Sequence, residues 1–327
     1  MSETYSHLQS RAFSDACVRL DRFQPLSRVL ACDIFDEGLQ GWMALMPNFT
    51  QWPDFDTRSS VVVKHQWPPV MLSSATYRYP GTHGSLSGTY SLKVSTRPTA
   101  NRYAAMPAPG SMGHAIKRMS FHRADTERLQ LEMWFSYTAE QDRVRSEGDL
   151  GGLSENALRA FGVGFDMQER GVRAFSGVRY VNSVDGQPHR KWQYISPAEE
   201  TDDREWAHGS EGDWCKKGVD PLWYGRRYDD GRHDGFKYVP DGEQKLCYNE
   251  TDCKINWLYL RFLIDVKNRQ YIELQAQDRV FDMRGLPIYP IPGYDRIEGL
   301  LNPLVWVEND AGRRVFLYVD SLVISQE

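Results

Sequence analysis

Strict alternation of apolar and polar residues constrains this chain more than any other feature. Leu129, Leu131, Met133 and Phe135 are interleaved with Gln130, Glu132, Trp134 and Ser136. Phe161, Val163, Phe165 and Met167 alternate with Gly162, Gly164, Asp166 and Gln168. Ile272, Leu274 and Ala276 alternate with Tyr271, Glu273, Gln275 and Gln277. A period of two places one set of side chains on each face of a strand, so each stretch reads as a strand with one face in a core. Further strands are expected at Val61–His65, Val70–Tyr79, Thr89–Thr96, Phe175–Val181, Lys191–Ile195, Trp257–Val266, Val280–Met283, Leu304–Glu308 and Val315–Ile324.

Turn chemistry agrees with this reading. Asp185-Gly186, Asp230-Gly231, Asp234-Gly235 and Asp241-Gly242 are turn dipeptides, and Lys267-Asn268-Arg269 closes a short hairpin. Helical periodicity is weak, confined to Phe13–Leu20 and to Glu155–Arg159. No repeat of fixed period marks a propeller or solenoid. The expectation is an all-β fold, a two-sheet antiparallel β-sandwich of jelly-roll form with few short helices. It is one domain over 1–327, with 1–30 as an N-terminal extension and 197–250 as a long insertion. Long loops are also expected at 97–128 and 139–159.

Composition narrows the function. The net charge of −5 argues against a nucleic-acid partner, whose binders carry a basic patch. No apolar run approaches the ~20 residues of a membrane span, and Met1–Ser10 carries no secretion signal, so a cytoplasmic location is expected. Five cysteines, Cys17, Cys32, Cys215, Cys247 and Cys253, read as free thiols, with Cys215 beside Lys216 and Lys217 the one placed for reactivity. No paired histidines stand at zinc-site spacing, and no organic cofactor is indicated. Aromatic residues make up 13% of the chain although the mean hydropathy is only −0.58, so flat side chains are concentrated in an otherwise polar sequence.

The faces of the strands that are not core hold the functional signal. Phased from their apolar neighbours, they carry Glu132, Trp134, Asp166, Gln168, Arg179, Gln193, Arg261, Glu273, Gln275, Trp306 and Glu308. Gly162 and Gly164 are expected to open a groove beside Asp166. Sugars suit this mixture, because their C–H faces stack on aromatic rings and their hydroxyls take bidentate partners. The expected substrate-binding set is Trp134, Gln168, Arg179, Trp192, Arg261, Gln275 and Trp306. The expected acid/base set is Asp166, Glu273, Glu132 and Glu308, with His189 as a loop general acid or base. Asp265 and Asp278, near strand ends, are weaker carboxylates of the same kind. Two carboxylates flanking one bond suffice for glycosidic cleavage. The insertion, with Trp206, Trp214, Trp223, Tyr224 and several arginines, reads as a lid.

Two terminal segments carry a resemblance. One is Asp33-Ile34-Phe35-Asp36-Glu37-Gly38-Leu39-Gln40-Gly41-Trp42, followed by Gly88-Thr89-Tyr90-Ser91-Leu92-Lys93-Val94. The other is Phe316-Leu317-Tyr318-Val319-Asp320-Ser321-Leu322-Val323-Ile324. These resemble the beginning and end of carbohydrate-binding-module jelly rolls and concanavalin-like sugar-active domains, and the middle of the chain resembles a bacterial family of that architecture. The resemblance implies that the first and last strands pair. It also implies a structural Ca²⁺ near Asp36 and Asp320.

The expected function is a carbohydrate-active protein, foremost an enzyme cleaving a glycosidic bond in a small saccharide or glycoside, as a hydrolase or lyase. A non-catalytic carbohydrate-binding protein is the alternative. A structural or assembly protein using the aromatic face as a homo-oligomer interface is the third reading.

Overall fold

A computed structural model describes residues 20–44, 70–74, 84–96, 111–140, 156, 158–184, 186–196, 235–247, 255–292, 295–309 and 314–327. In chain order the strands begin with β1 (Arg28–Asp33), β2 (Trp42–Met43), β3 (Met71–Ser74), β4 (Tyr90–Ser95), β5 (Ser111–Lys117) and β6 (Met119–Ser120). Then come β7 (Arg128–Ala139), β8 (Ala160–Glu169), β9 (Val172–Val184), β10 (Gln187–Ser196), β11 (Gly235–Glu243) and β12 (Leu258–Asp265). The last five are β13 (Gln270–Ala276), β14 (Arg279–Asp282), β15 (Pro290–Pro292), β16 (Leu300–Asn309) and β17 (Val315–Gln326). A 3-10 turn spans Arg123–Asp125.

These strands form two antiparallel sheets, as the alternation predicts. One, of eight strands, runs β14-β13-β12-β7-β17-β4-β3, with β1 also on β17. The other, of nine, runs β11-β10-β9-β8-β16-β5-β2, with β15 on β9 and β6 on β16. The expected pairing of first and last strands is present: Arg28 lies opposite Gln326 and Asp33 opposite Leu322.

The apolar sets meet between the sheets. Phe135 of one sheet and Phe161 of the other have ring centroids 4.9 Å apart, and Phe165 stacks on Phe262 at 5.8 Å. Leu131, Met133, Val163, Leu260, Leu274, Val305 and Leu317 are buried around them. Fully burying each such side chain contributes about 1.5–3 kcal/mol. Polar ties also cross this core. The Tyr271 hydroxyl on β13 donates to Ile195 O at 2.7 Å and accepts from Gly177 N at 3.1 Å, both on the opposite sheet. Gln244 accepts from Trp192 Nε1 at 2.8 Å and donates to Ala276 O at 2.9 Å.

The opening motif proves structural. Buried Asp33 accepts from Trp42 Nε1 at 2.8 Å and pairs with Lys117 at 2.7 Å. Gln40 Oε1 accepts the amides of Ile34 and Phe35, each at 2.9 Å, and Phe35 itself is core.

Several expectations need correction. The expected loop 97–128 contains β5 and β6, and the expected insertion 197–250 contains β11. Asp241-Gly242 is a bulge inside β11 rather than a hairpin turn. Asp241 takes φ 50°, and a Cβ on Gly242 would lie 2.7 Å from Val239 O. The faces of β13 are displaced near its start. Leu263 pairs with Glu273 but Ile264 pairs with Tyr271, so Ile272 is an extra residue. Tyr271 is thereby turned into the core and Ile272 left half-buried. The strand Val61–His65, most of the helix Phe13–Leu20, residues 75–79, Cys17, Cys215, Cys253 and the expected lid residues Trp206, Trp214, Trp223 and Tyr224 lie outside the described residues. Cys247 is an exposed free thiol.

Candidate functional site

Residues directly opposite on paired strands share a face, which fixes where each expected site residue points. On the eight-stranded sheet, Trp134 lies opposite Tyr259, Glu132 opposite Arg261, and Arg261 opposite Gln275. All of them, with Glu273, face outward, because their neighbours Met133, Leu260 and Leu274 are core. On the nine-stranded sheet, Asn302 lies opposite Asp166, Leu300 opposite Gln168, and Gly162 between Trp306 and Arg179. Arg179 in turn lies opposite Gln193. These also face outward, on the other side of the sandwich. A core about 10 Å thick separates the sheets. The single groove expected from sequence is therefore two separate faces, and Asp166 and Glu308 share no site with Glu132 and Glu273.

The face of the nine-stranded sheet is closed by its own ion pairs. Arg179 Nη1 donates to both Glu308 oxygens at 3.1 and 3.2 Å, and its Nε donates to Gln193 Oε1 at 2.8 Å. The guanidinium lies 3.7 Å above the Phe236 ring. Trp306 Nε1 donates to Glu308 at 3.0 Å, and Arg159 approaches the same carboxylate at 3.6 Å. Burial pulls Arg179 below its ordinary value, and Glu308 opposes that pull. A second cluster joins Asp166 to Arg173 through two bonds of 2.8 Å and to Asn302 at 2.9 Å.

The aromatic and amide residues expected on this side do not line an open groove. Trp306 has 0% of its surface exposed, and a Cβ on Gly162 would lie 2.2 Å from its ring. The indole fills the space that the glycine leaves. At Gly164 the room is taken by Ser176 O, 2.4 Å from a built Cβ. Gln168 is buried, and Trp192 is in the core between the sheets, so neither presents a stacking or bonding surface in this structure.

The outer face of the eight-stranded sheet is different, because its aromatics remain partly open. Trp134 and Tyr259 are both half-buried, with ring centroids 5.4 Å apart at 51°. Beneath them Glu132 is fully buried. It accepts from Tyr259 Oη at 2.5 Å, from Gln24 N at 2.7 Å and from Gln130 Nε2 at 2.9 Å. Burial first, and Glu132 second, push the Tyr259 phenol far above its ordinary value, so it stays a neutral donor. Arg261 donates to Gln24 Oε1 at 2.8 Å and pairs with Glu273, whose side chain is 28% exposed. Arg261 Nε is buried with no hydrogen-bond partner among the described residues. Gln275 donates to Gln277 O at 3.0 Å, which leaves its amide oxygen as an acceptor.

Five expected site residues thus gather on this face: Glu132, Trp134, Arg261, Glu273 and Gln275. Tyr259 and Gln24 complete it and were missed. Tyr259 was legible, since it precedes Arg261 by two residues on the same polar face. Gln24 was not, because it lies 108 residues from the carboxylate it covers. Of the residues expected as an N-terminal extension, 20–30 pack on the sandwich, supplying this cap and the start of β1.

His189 sits apart, at the edge where β10 meets β11. Its Nε2 lies 2.9 Å from Tyr238 Oη. Burial, followed by Lys191, Arg179 and Arg159, pulls its pKa below the ordinary value and favours the neutral ring at pH 7. Asp265 holds the hairpin turn, accepting from Asn268 N at 2.7 Å.

Asp36 and Asp320 do not fit as Ca²⁺ ligands. Asp320 accepts from Leu86 N at 2.7 Å, Ser87 N at 3.2 Å, Ser87 Oγ at 3.0 Å, Ser321 Oγ at 2.9 Å and also Ser85 Oγ. Asp36 accepts from Thr89 N at 2.7 Å and Tyr90 N at 3.0 Å. Ca²⁺ needs six to eight oxygen lone pairs converging on it. Here the carboxylates are ringed by donors and clamp the loop 85–90, and no group of three His, Cys, Asp or Glu among the described residues converges on a point.

Two antiparallel sheets with paired first and last strands define a jelly-roll β-sandwich. The chain belongs to the family described as a domain of unknown function (DUF6772), which matches residues 10–327. No curated protein matches the sequence. Among similar solved structures is the Emp47p carbohydrate recognition domain, with 8% identity and a TM-score of 0.34, covering 93% of this chain and 99% of that one. Another is a legume lectin-like domain from Entamoeba histolytica, with 11% identity and a TM-score of 0.35, covering 79% and 90%. Peanut lectin with a 9mer peptide has 9% identity and a TM-score of 0.31, covering 78% and 90%.

Proposed function

We propose that this protein is a non-catalytic carbohydrate-binding β-sandwich whose ligand lies on the outer face of the eight-stranded sheet. The observation that carries this reading is the half-exposed Trp134–Tyr259 pair beside Arg261, Glu273 and Gln275. A pyranose C–H face stacks on the Trp134 ring. Its hydroxyls then meet the Glu273 carboxylate, the Gln275 side-chain carbonyl and the Arg261 guanidinium, which offer acceptors and donors on one face. The Glu132–Tyr259–Gln24 bonds beneath hold the rings in place, so little ordering is required on binding.

Binding is favoured over the cleavage expected from sequence because of how the carboxylates are engaged. Cleavage requires two carboxylates flanking one bond, one of them free to deliver a proton. Glu132 is buried and takes three donors, while Glu273 is paired with Arg261.

The test is titration calorimetry of the full chain against a panel of neutral mono- and oligosaccharides, run beside an assay for released reducing ends. Trp134→Ala should weaken binding at least tenfold while costing about 1 kcal/mol of stability or less. Binding unchanged in both Trp134→Ala and Gln275→Ala would move the site elsewhere. Turnover by the wild type that Glu273→Gln abolishes without loss of affinity would make the protein an enzyme. A dimer that Trp134→Ala converts to monomer would make the face an interface.

A further inference from the structure

A second recess lies away from the aromatic face, at the edge where the two sheets meet. It is a cleft of about 460 Å³, open to solvent, between the turn that leads into β14, the β9–β10 hairpin and the end of β11. Its lining side chains include His189, Arg190, Lys245 and Arg279, against Glu243 and Asp278. Glu243 is already held by Lys191 at 2.7 Å, so a further cation stands at the rim and one of the two carboxylates is compensated. Lys245 is exposed and makes no ion pair among the described residues.

Arg279 is fixed in place. It donates to Glu243 O and, at 3.4 Å, to Asp241 O, and lies 4.9 Å from the Phe281 ring. Those bonds use only part of its five donors. The Arg190 backbone takes φ 58° where β10 bulges. Burial first, and Lys191 at the rim second, lower His189 below its ordinary value. A recess that gathers two guanidiniums, an ammonium without an ion pair and a neutral imidazole against Asp278 and a Glu243 already paired with Lys191 is short of negative charge.

We infer that this cleft binds an anionic oxygen group, the phosphate or carboxylate of a small molecule. Guanidinium forks match both anions in bidentate geometry, Lys245 supplies a point charge, and His189 offers a ring nitrogen. The site is independent of the Trp134 face.

The experiment is calorimetric titration of the full chain with sodium phosphate and, separately, sodium acetate, with ionic strength held constant by NaCl and glucose as the neutral control. Saturable binding is expected for at least one anion and none in this cleft for glucose. Which anion binds distinguishes phosphate from carboxylate as the source of the chemistry. The double variant Arg190→Gln/Lys245→Gln should weaken it about tenfold or more. Asp278→Asn, which removes a facing carboxylate, should tighten it about threefold. Arg284→Gln, at an exposed arginine paired with Asp282, should leave it unchanged, as should Trp134→Ala. No saturable binding of either anion, equal losses in the double variant and Arg284→Gln, or no tightening in Asp278→Asn would overturn the inference. Loss of neutral-sugar binding alone would overturn only the reading of the aromatic face.

Discussion

At the scale of single residues, the outer faces hold charges whose cost is set by their surroundings. Lys93 on β4 lies opposite Tyr318, with its Nζ 4.6 Å from the Phe316 ring centroid. Burial, and then the nearby Arg314, lower its pKa to about 8, while Glu140 works in the opposite direction. Between pH 8 and 10.5 the unfolded chain therefore binds more protons than the folded one. Through this group, stability rises with pH across that window, and the full penalty is present below it. Lys93→Met should stabilise the protein at pH 7 by about 1–2 kcal/mol, a figure discounted for partial exposure. The gain should shrink towards pH 10. Urea unfolding midpoints of both proteins at pH 7 and 9.5 check it, and a gain that does not shrink would locate the effect outside this titration. Residue type alone could not show this, because the penalty comes first from burial in the folded sheet and then from Arg314, which follows Lys93 by more than two hundred residues.

At the scale of elements, alternation was a reliable guide to which side chains are core and a poor guide to what the opposite face does. In β7 and β8 the apolar sets are in the core as read. In β13 one extra residue, Ile272, inverted the reading for Tyr271, because a bulge shifts the phase of everything beyond it. The glycines of β8 show the second failure. Read along the strand they leave a gap beside Asp166, but across the sheet the gap at Gly162 is filled by Trp306. Gly162→Ala should displace that indole from Glu308 and cost about 1–3 kcal/mol. Urea unfolding measures the loss, and the tryptophan emission of the folded protein should shift with it. A neutral substitution would mean that the ring has room to move.

At the scale of the whole molecule, polar ties across the core hold the two sheets in one relative position. The Tyr271 phenol links β13 to both Gly177 and Ile195 on the opposite sheet. Burial raises Tyr271 and Tyr318 well above the usual tyrosine range. Their folded values exceed the unfolded value near 10, so their contribution is fully present below pH 10 and is lost as pH rises beyond it. Tyr271→Phe should cost about 1–2 kcal/mol at neutral pH. It should also flatten the decline in thermal stability between pH 10 and 11.5, which melting curves across that range would register. An unchanged slope would assign the alkaline loss to other groups.

The sequence by itself determined that this chain is an antiparallel β-sandwich, which strands carry its core, and, apart from Tyr271 and Trp192, which polar and aromatic residues stand on the outward faces. Those are local properties, since side-chain direction along a strand follows from a period of two. Only the tertiary structure decided how the outward residues are grouped. Trp134, Glu132, Arg261, Glu273 and Gln275 share one face because β7, β12 and β13 are neighbours. Asp166, Arg179, Trp306 and Glu308 close another because β8, β9 and β16 are. Strand order depends on contacts between residues far apart in the chain, and alternation carries no information about them. The same reason explains why Asp36 and Asp320, which the terminal motifs suggest as metal ligands, are found clamping a loop: the donors that occupy them come from residues 85–90, on a separate stretch of the chain.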